Sequence, residues 1–163
     1  MKILSMKTTI FLGVMLSLLV CLMFTGCSNS ETNSTSRGLT DFAHIEEEYL
    51  ATIDSLNWPD GITLPDKLED EDTGASFQVG YGETRASYLW EYSWMKEWLD
   101  TYNTDPERAE KALEELEKAF DMPYMGIDRC DDATRNYLRE NIDKAKLGDP
   151  SGFTESIRAN YAN

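Results

Sequence analysis

Apolar residues recur at three- and four-residue steps in five stretches of this chain, the spacing of one buried face of an α-helix. The first stretch predicts a helix from about Asp41 to Ser55, with Thr40 or Asp41 as its N-cap. The acidic residues inside it lie mostly off the apolar face, so one side of this helix is predicted to be buried. That side contains Phe42, Ile45, Tyr49, Ile53 and Leu56.

The second stretch, from about Glu83 to Tyr102, carries aromatic residues at four-residue steps. These form one stripe of Trp90, Trp94, Trp98 and Tyr102, which we expect to belong to the core. Other apolar residues widen the stripe beyond half of the helix surface, namely Leu89, Tyr92, Met95 and Leu99. A helix that is apolar over so much of its circumference packs on more than one side, so this helix is predicted to be the central one.

The third helix has a well-marked beginning and end. Thr104 or Asp105 is its predicted N-cap, Pro106 lies in the first turn, and Pro123 closes the segment. Its predicted buried face contains Ala109, Ala112, Leu113, Leu116 and Phe120.

Two more helices complete the pattern. The fourth is predicted from about Asp132 to Leu147, ending at Gly148, with an acidic cluster of Asp128, Asp131 and Asp132 at its start as caps. Its predicted inward residues are Ala133, Leu138, Ile142 and Ala145. The last helix is short, with Phe153, Ile157 and Tyr161 at four-residue steps.

A long segment between the first two helices, about residues 57–82, lacks helical periodicity. Pro59-Asp60-Gly61 predicts a turn, and the alternation of Phe77, Val79 and Tyr81 is consistent with one short strand, for which residues 61–64 are the candidate partner. The predicted fold class is therefore all-α, a small bundle of four to five helices with one long irregular loop.

The N-terminal residues follow a different pattern. Lys2 and Lys7 precede an apolar run from Ile10 to Phe24, which spans only about 22 Å as a helix, less than the ~30 Å hydrocarbon core of a membrane. A basic start, a short apolar core and small residues at its end are typical of a secretory signal peptide. An uncleaved transmembrane helix is the alternative, and both interpretations place the rest of the chain outside the cytoplasmic membrane.

The run ends in "FTGC", residues 24–27, which resembles the lipobox of bacterial lipoproteins. The resemblance implies a diacylglycerol thioether on Cys27, palmitate-type acyl chains and cleavage after Gly26. It predicts a signal peptide at 1–26, a lipidated Cys27 with a flexible polar tether at 27–38, and a domain at 39–163. Two acyl chains give stable anchoring, so the expected location is the bacterial cell membrane, facing the extracytoplasmic side.

The charge of the chain limits its partners. The formal net charge is −15, and the loss of Lys2 and Lys7 with the signal peptide would make it −17. Such a field repels nucleic acid and attracts cations, basic proteins or basic peptides. A plainer interpretation is that the acidity only keeps an exported domain in solution.

Candidate chemistry is sparse. Glu69, Asp70 and Asp72 form an acidic loop that could bind calcium, although their spacing does not fit an EF-hand. Trp58, in a loop before a proline, is a candidate for glycan stacking or a clasp over the core. His44 is the one histidine, so a zinc cluster is not expected, nor is any cofactor.

Catalytic residues cannot be selected from this sequence. Cys130 is the only cysteine behind the lipobox, so no disulfide is expected within the domain, and we expect the thiol to be buried. The 30 acidic residues include no identifiable hydrolase pair. We therefore expect an envelope protein-interaction module and no enzyme; the alternative is a calcium- or glycan-binding domain that uses the acidic loop and Trp58, and a hydrolase comes third.

Overall fold

The computed structural model describes residues 38–69 and 71–161, all within one unit of the chain, Arg37–Asn163. This part contains five α-helices, and the predicted all-α bundle of four to five helices is confirmed. The elements are β1 Leu39–Thr40, α1 Phe42–Ser55, β2 Phe77–Gln78, α2 Tyr81–Thr101, α3 Pro106–Glu117, 3-10 turns at Lys118–Asp121 and Pro123–Met125, α4 Asp132–Lys146 and α5 Ser151–Asn160. The predicted signal peptide, Cys27 and the tether up to residue 37 lie outside the described residues.

Three helices begin at aspartates that cap them. The Asp41 carboxylate accepts from the His44 backbone N–H at 3.1 Å, Asp105 from Arg108 at 3.2 Å, and Asp131 from Thr134 at 2.7 Å. Each carboxylate accepts a hydrogen bond from a backbone N–H of the first turn, which has no carbonyl partner within the helix. Of the candidate caps named from the sequence, Asp41, Asp105 and Asp131 are thereby confirmed for α1, α3 and α4.

Helix α2 begins two residues earlier than predicted, and a residue of α1 explains its start. Gly80 precedes it with a φ of 87°, a conformation that favours glycine. The Glu48 carboxylate on α1 accepts from the Gly80 backbone N–H at 2.8 Å and from that of Gly82 at 3.2 Å. An acidic side chain from a neighbouring helix therefore caps α2.

The core has two clusters joined by α2. One packs the C-terminal part of α2 against α3, α4 and α5 and includes Trp94, Trp98, Leu116, Ile142 and Phe153. The other packs α1 and the long loop against the start of α2 and includes Ile45, Tyr49, Ile53, Leu68, Phe77 and Ala86. The predicted central position of α2, with Trp90, Trp94 and Trp98 buried, is confirmed.

The indole N–H groups hold the chain where it leaves α1. Trp90 and Trp94 both donate to the backbone carbonyl of Asn57, at 2.8 and 3.1 Å. Trp58 donates to the Ile53 carbonyl at 2.9 Å. Buried indoles need such acceptors, and the carbonyl groups at a helix end need donors, so each satisfies the other.

Two predictions about packing were wrong. The strand Phe77–Gln78 exists, but its antiparallel partner is Leu39–Thr40 and not residues 61–64, with Leu39 opposite Gln78 and Thr40 opposite Phe77. Ala133, expected to face inward, is exposed in the first turn of α4.

In the part of the chain described, no helix is both long and apolar enough to cross a bilayer.

Candidate functional site

Trp58 occupies the position of a clasp over the core. Its ring is half-buried and packs against both core clusters, and its indole N–H is bonded to Ile53. This leaves the Trp58 N–H unavailable to a ligand, while part of the ring remains at the surface.

The acidic loop does not assemble a metal site from the residues that the structure describes. Glu69 pairs with Lys67 at 2.9 Å, and Asp72 accepts from the Gly74 backbone N–H at 2.9 Å. No group of three or more His, Cys, Asp or Glu side chains in residues 38–69 and 71–161 is arranged to hold a metal ion. Asp70, the remaining candidate ligand, lies outside the described residues.

Cys130 and His44 have different neighbours, and no hydrogen bond joins them in the part of the chain that the structure describes. The Cys130 thiol is half-buried, lies 3.5 Å from the Met125 sulfur and packs against the core, and burial raises its pKa. His44 lies beside Glu48, with 3.4 Å between Nε2 and Oε1, and is half-exposed. A thiol with a raised pKa is a poor nucleophile, so these contacts favour structural roles.

The structure contains a groove between α3 and the end of α4, which we call the acidic groove. Its volume is about 530 Å³. Trp98, Tyr102, Ala109, Leu113 and Ala145 form its apolar floor, and Glu110, Glu114 and Glu117 line its α3 edge.

Charge at the acidic groove is unbalanced. Lys146 of α4 forms a salt bridge with Glu117. Within the described ranges, neither Glu110 nor Glu114 has a salt-bridge partner, and both are exposed. Like charges four residues apart on a helix repel each other, at a cost of about 0.2–0.5 kcal/mol. The groove thus presents two uncompensated carboxylates beside apolar side chains.

A second cavity, of about 350 Å³, lies among α2, α4 and α5, and we call it the Glu91 cavity. Glu91 is only 8% exposed and accepts a hydrogen bond at Oε2 from the Tyr124 hydroxyl, at 2.8 Å. Three tyrosines, Tyr88, Tyr137 and Tyr161, also line the cavity. The Tyr88 ring packs edge-on against Tyr124, and the Tyr161 hydroxyl donates to the Tyr88 carbonyl at 3.2 Å.

Burial dominates the electrostatics of the Glu91 cavity. It raises the pKa of Glu91 to about 7, against the opposing effect of the Tyr124 hydrogen bond. Burial and the adjacent Glu91 also raise the pKa values of Tyr124 and Tyr161. Burial thus favours the uncharged form of the Glu91 carboxyl group and of the Tyr124 and Tyr161 hydroxyl groups.

Sequence reasoning missed Glu91, because a glutamate in an amphipathic helix is usually exposed. The available signal was the breadth of the apolar surface of α2. A helix that packs on several sides has few exposed positions left for its polar residues, and Ser87, Glu91 and Ser93 are all buried.

No protein-family model matches the chain, and no curated protein or solved structure is significantly similar to it.

Proposed function

We propose that this protein is a membrane-anchored extracytoplasmic lipoprotein whose helical domain binds a basic polypeptide in the acidic groove. One observation carries the binding proposal. Glu110 and Glu114 lie along the apolar floor of the groove, and no cation in the described part of the chain forms a salt bridge with either of them. The net charge of −15 adds a long-range field that favours the same partners.

The spacing of the acidic row indicates the form of the partner. Glu110, Glu114 and Glu117 follow one edge of α3 over about 10 Å, with steps of four and three residues. A partner helix that repeats Lys or Arg at the same steps would place its cations opposite this row, and its apolar side chains would enter the groove. We therefore propose a basic amphipathic helix as the bound segment.

The experiment uses the full chain in nanodiscs of neutral lipid and a dye-labelled helical peptide of leucine and lysine. Binding is followed by anisotropy, with empty nanodiscs as the reference. Replacing both Glu110 and Glu114 by Lys should weaken binding about tenfold, since each exposed pair contributes roughly 0.2–1 kcal/mol and reversal adds repulsion. Raising the salt concentration should weaken binding to the wild type.

The matched control reverses two exposed carboxylates of α1, Glu47→Lys with Asp54→Lys, which changes the net charge equally. This variant should bind the peptide nearly as tightly as the wild type. Equal losses in both variants would show that only the overall charge matters and would contradict the groove as the binding surface.

The anchor is tested separately. Cys27→Ala should abolish incorporation of a labelled fatty acid and leave unprocessed precursor. Unchanged membrane retention of a chain that never incorporates label would contradict the lipoprotein proposal and favour an uncleaved apolar anchor.

A further inference from the structure

We propose that the Glu91 cavity is a binding site for a small organic ammonium compound, whose ammonium group pairs with Oε1 of Glu91. The site is separate from the acidic groove: it lies among α2, α4 and α5, while the groove lies between α3 and the end of α4. The inference therefore does not depend on the proposed function.

The first argument is the incomplete environment of the carboxyl group. The Tyr124 hydroxyl donates a hydrogen bond to Oε2 of Glu91, and no other donor among residues 38–69 and 71–161 is bonded to this carboxyl group. Nor does any lysine or arginine of these ranges form a salt bridge with it. A carboxylate that is more than nine-tenths buried normally has a cation or several donors. A ligand ammonium would provide both the missing charge and the missing donors.

The second argument is the chemistry of the walls. Tyr88, Tyr137 and Tyr161 contribute aromatic rings, which attract cations through their faces, and Met125 and Leu138 contribute apolar surface. Glu91 is the single carboxylate of the lining, and no group of three or more acidic, His or Cys side chains in the described ranges could hold a metal ion, so the cavity fits an organic cation better than an inorganic one. A volume of about 350 Å³ suits a small molecule.

Glu91 is the group of this cavity that should change its charge near neutral pH, because the neighbouring groups described next either are paired or stay uncharged. Arg85 lines the cavity but lies 3.4 Å from Glu71, which balances its charge. Burial raises the pKa values of Tyr88, Tyr124, Tyr161 and the Cys130 thiol, which keeps them neutral. Ammonium binding should therefore displace the proton of Glu91.

The test is calorimetric titration of the full chain, in nanodiscs, with benzylamine. Benzyl alcohol serves as the neutral ligand of similar shape, and empty nanodiscs provide the blank. Benzylamine should bind about tenfold more tightly one pH unit above the Glu91 pKa of about 7 than one unit below it, because ionised Glu91 is the binding form. Benzyl alcohol should show no such dependence.

Glu91→Gln should weaken benzylamine binding at least tenfold at the higher pH, and Glu47→Gln, at an exposed position of α1, should leave it unchanged. Equal binding of benzylamine by wild type and Glu91→Gln would overturn the proposal. So would equal binding of alcohol and amine, or no benzylamine binding at either pH. The pH comparison uses the wild-type chain, so it decides the matter even if the variant fails to fold.

Discussion

Gly82 of α2 lies directly against the backbone carbonyl of Ile45 in α1. A Cβ added at Gly82 would overlap the Ile45 carbonyl oxygen and lie 2.9 Å from the backbone nitrogen of Tyr49. Both neighbours are main-chain atoms of a helix, so they cannot rotate aside as a flexible side chain would. The close approach of α1 and α2 therefore requires glycine at this position.

Gly82→Ala should destabilise the domain by about 3 kcal/mol, because the two helices must separate to admit a methyl group. Urea denaturation followed by far-UV circular dichroism measures this free energy of unfolding. The matched control is Gly74→Ala, at an exposed loop position where an added Cβ makes only an ordinary contact with Asp72. A similar effect of both substitutions would contradict the tight-packing explanation.

Glu48→Ala should cost about 2 kcal/mol, because it removes a partly buried carboxylate that accepts hydrogen bonds from the Gly80 and Gly82 backbone N–H groups at the start of α2. Glu48→Gln keeps one acceptor oxygen and should cost about half as much. Glu47→Ala, on the exposed side of the same helix, should change the free energy of unfolding by less than about 0.5 kcal/mol. If the two alanine variants were equally stable, Glu48 would not be a functional cap.

Glu91 should make the domain less stable as the pH rises. Burial raises its folded-state pKa from 4.5 to about 7, so between these values the folded chain holds a proton that the unfolded chain has lost. The contribution of Glu91 to stability is complete below pH 4.5 and declines until about pH 7. The total loss is on the order of 3 kcal/mol.

The measurement compares Glu91→Gln with the wild type in urea at a series of pH values. Because glutamine does not ionise, the variant should match the wild type below about pH 4.5 and become more stable than it by about 3 kcal/mol above pH 7. The difference in unfolding free energy between the two chains at each pH removes the effects of the other acidic groups, because both chains contain them. A difference that stays constant with pH would mean that Glu91 titrates at its ordinary value.

Trp58→Phe should destabilise the domain by about 1–2 kcal/mol, since it removes the hydrogen bond to the Ile53 carbonyl and part of the packed ring. Tyr137→Phe, which removes a hydroxyl from a half-exposed ring on α4, should be nearly neutral in the same urea assay. An unchanged stability of Trp58→Phe would leave the ring available for the glycan contact that the sequence also suggested.

Features that depend on neighbouring residues were predictable from the sequence. Aspartate caps act within one turn, which is why the starts of α1, α3 and α4 could be located from Asp41, Asp105 and Asp131. The stripe of tryptophans likewise indicated the buried side of α2 through its spacing alone.

Features that join distant segments were not predictable. Leu39–Thr40 is too short to show a strand pattern, and its pairing with Phe77–Gln78 is a contact across about forty residues. The hydroxyls of Ser87 and Ser93 differ, because they bond to carbonyls one turn earlier in the same helix. Glu91 instead depends on Tyr124, so its environment exists only once the helices have packed.

The tryptophan positions give the domain an intrinsic optical reporter. Trp90 and Trp94 share the Asn57 carbonyl, whereas Trp98 stacks on Tyr102 and meets Phe153 of α5 edge-on. Fluorescence from Trp90 and Trp94 should therefore report whether the segment after α1 is bound to α2, and fluorescence from Trp98 should report whether α5 is packed against α2. Single-tryptophan chains would separate the opening of the two ends of the domain, with no external label.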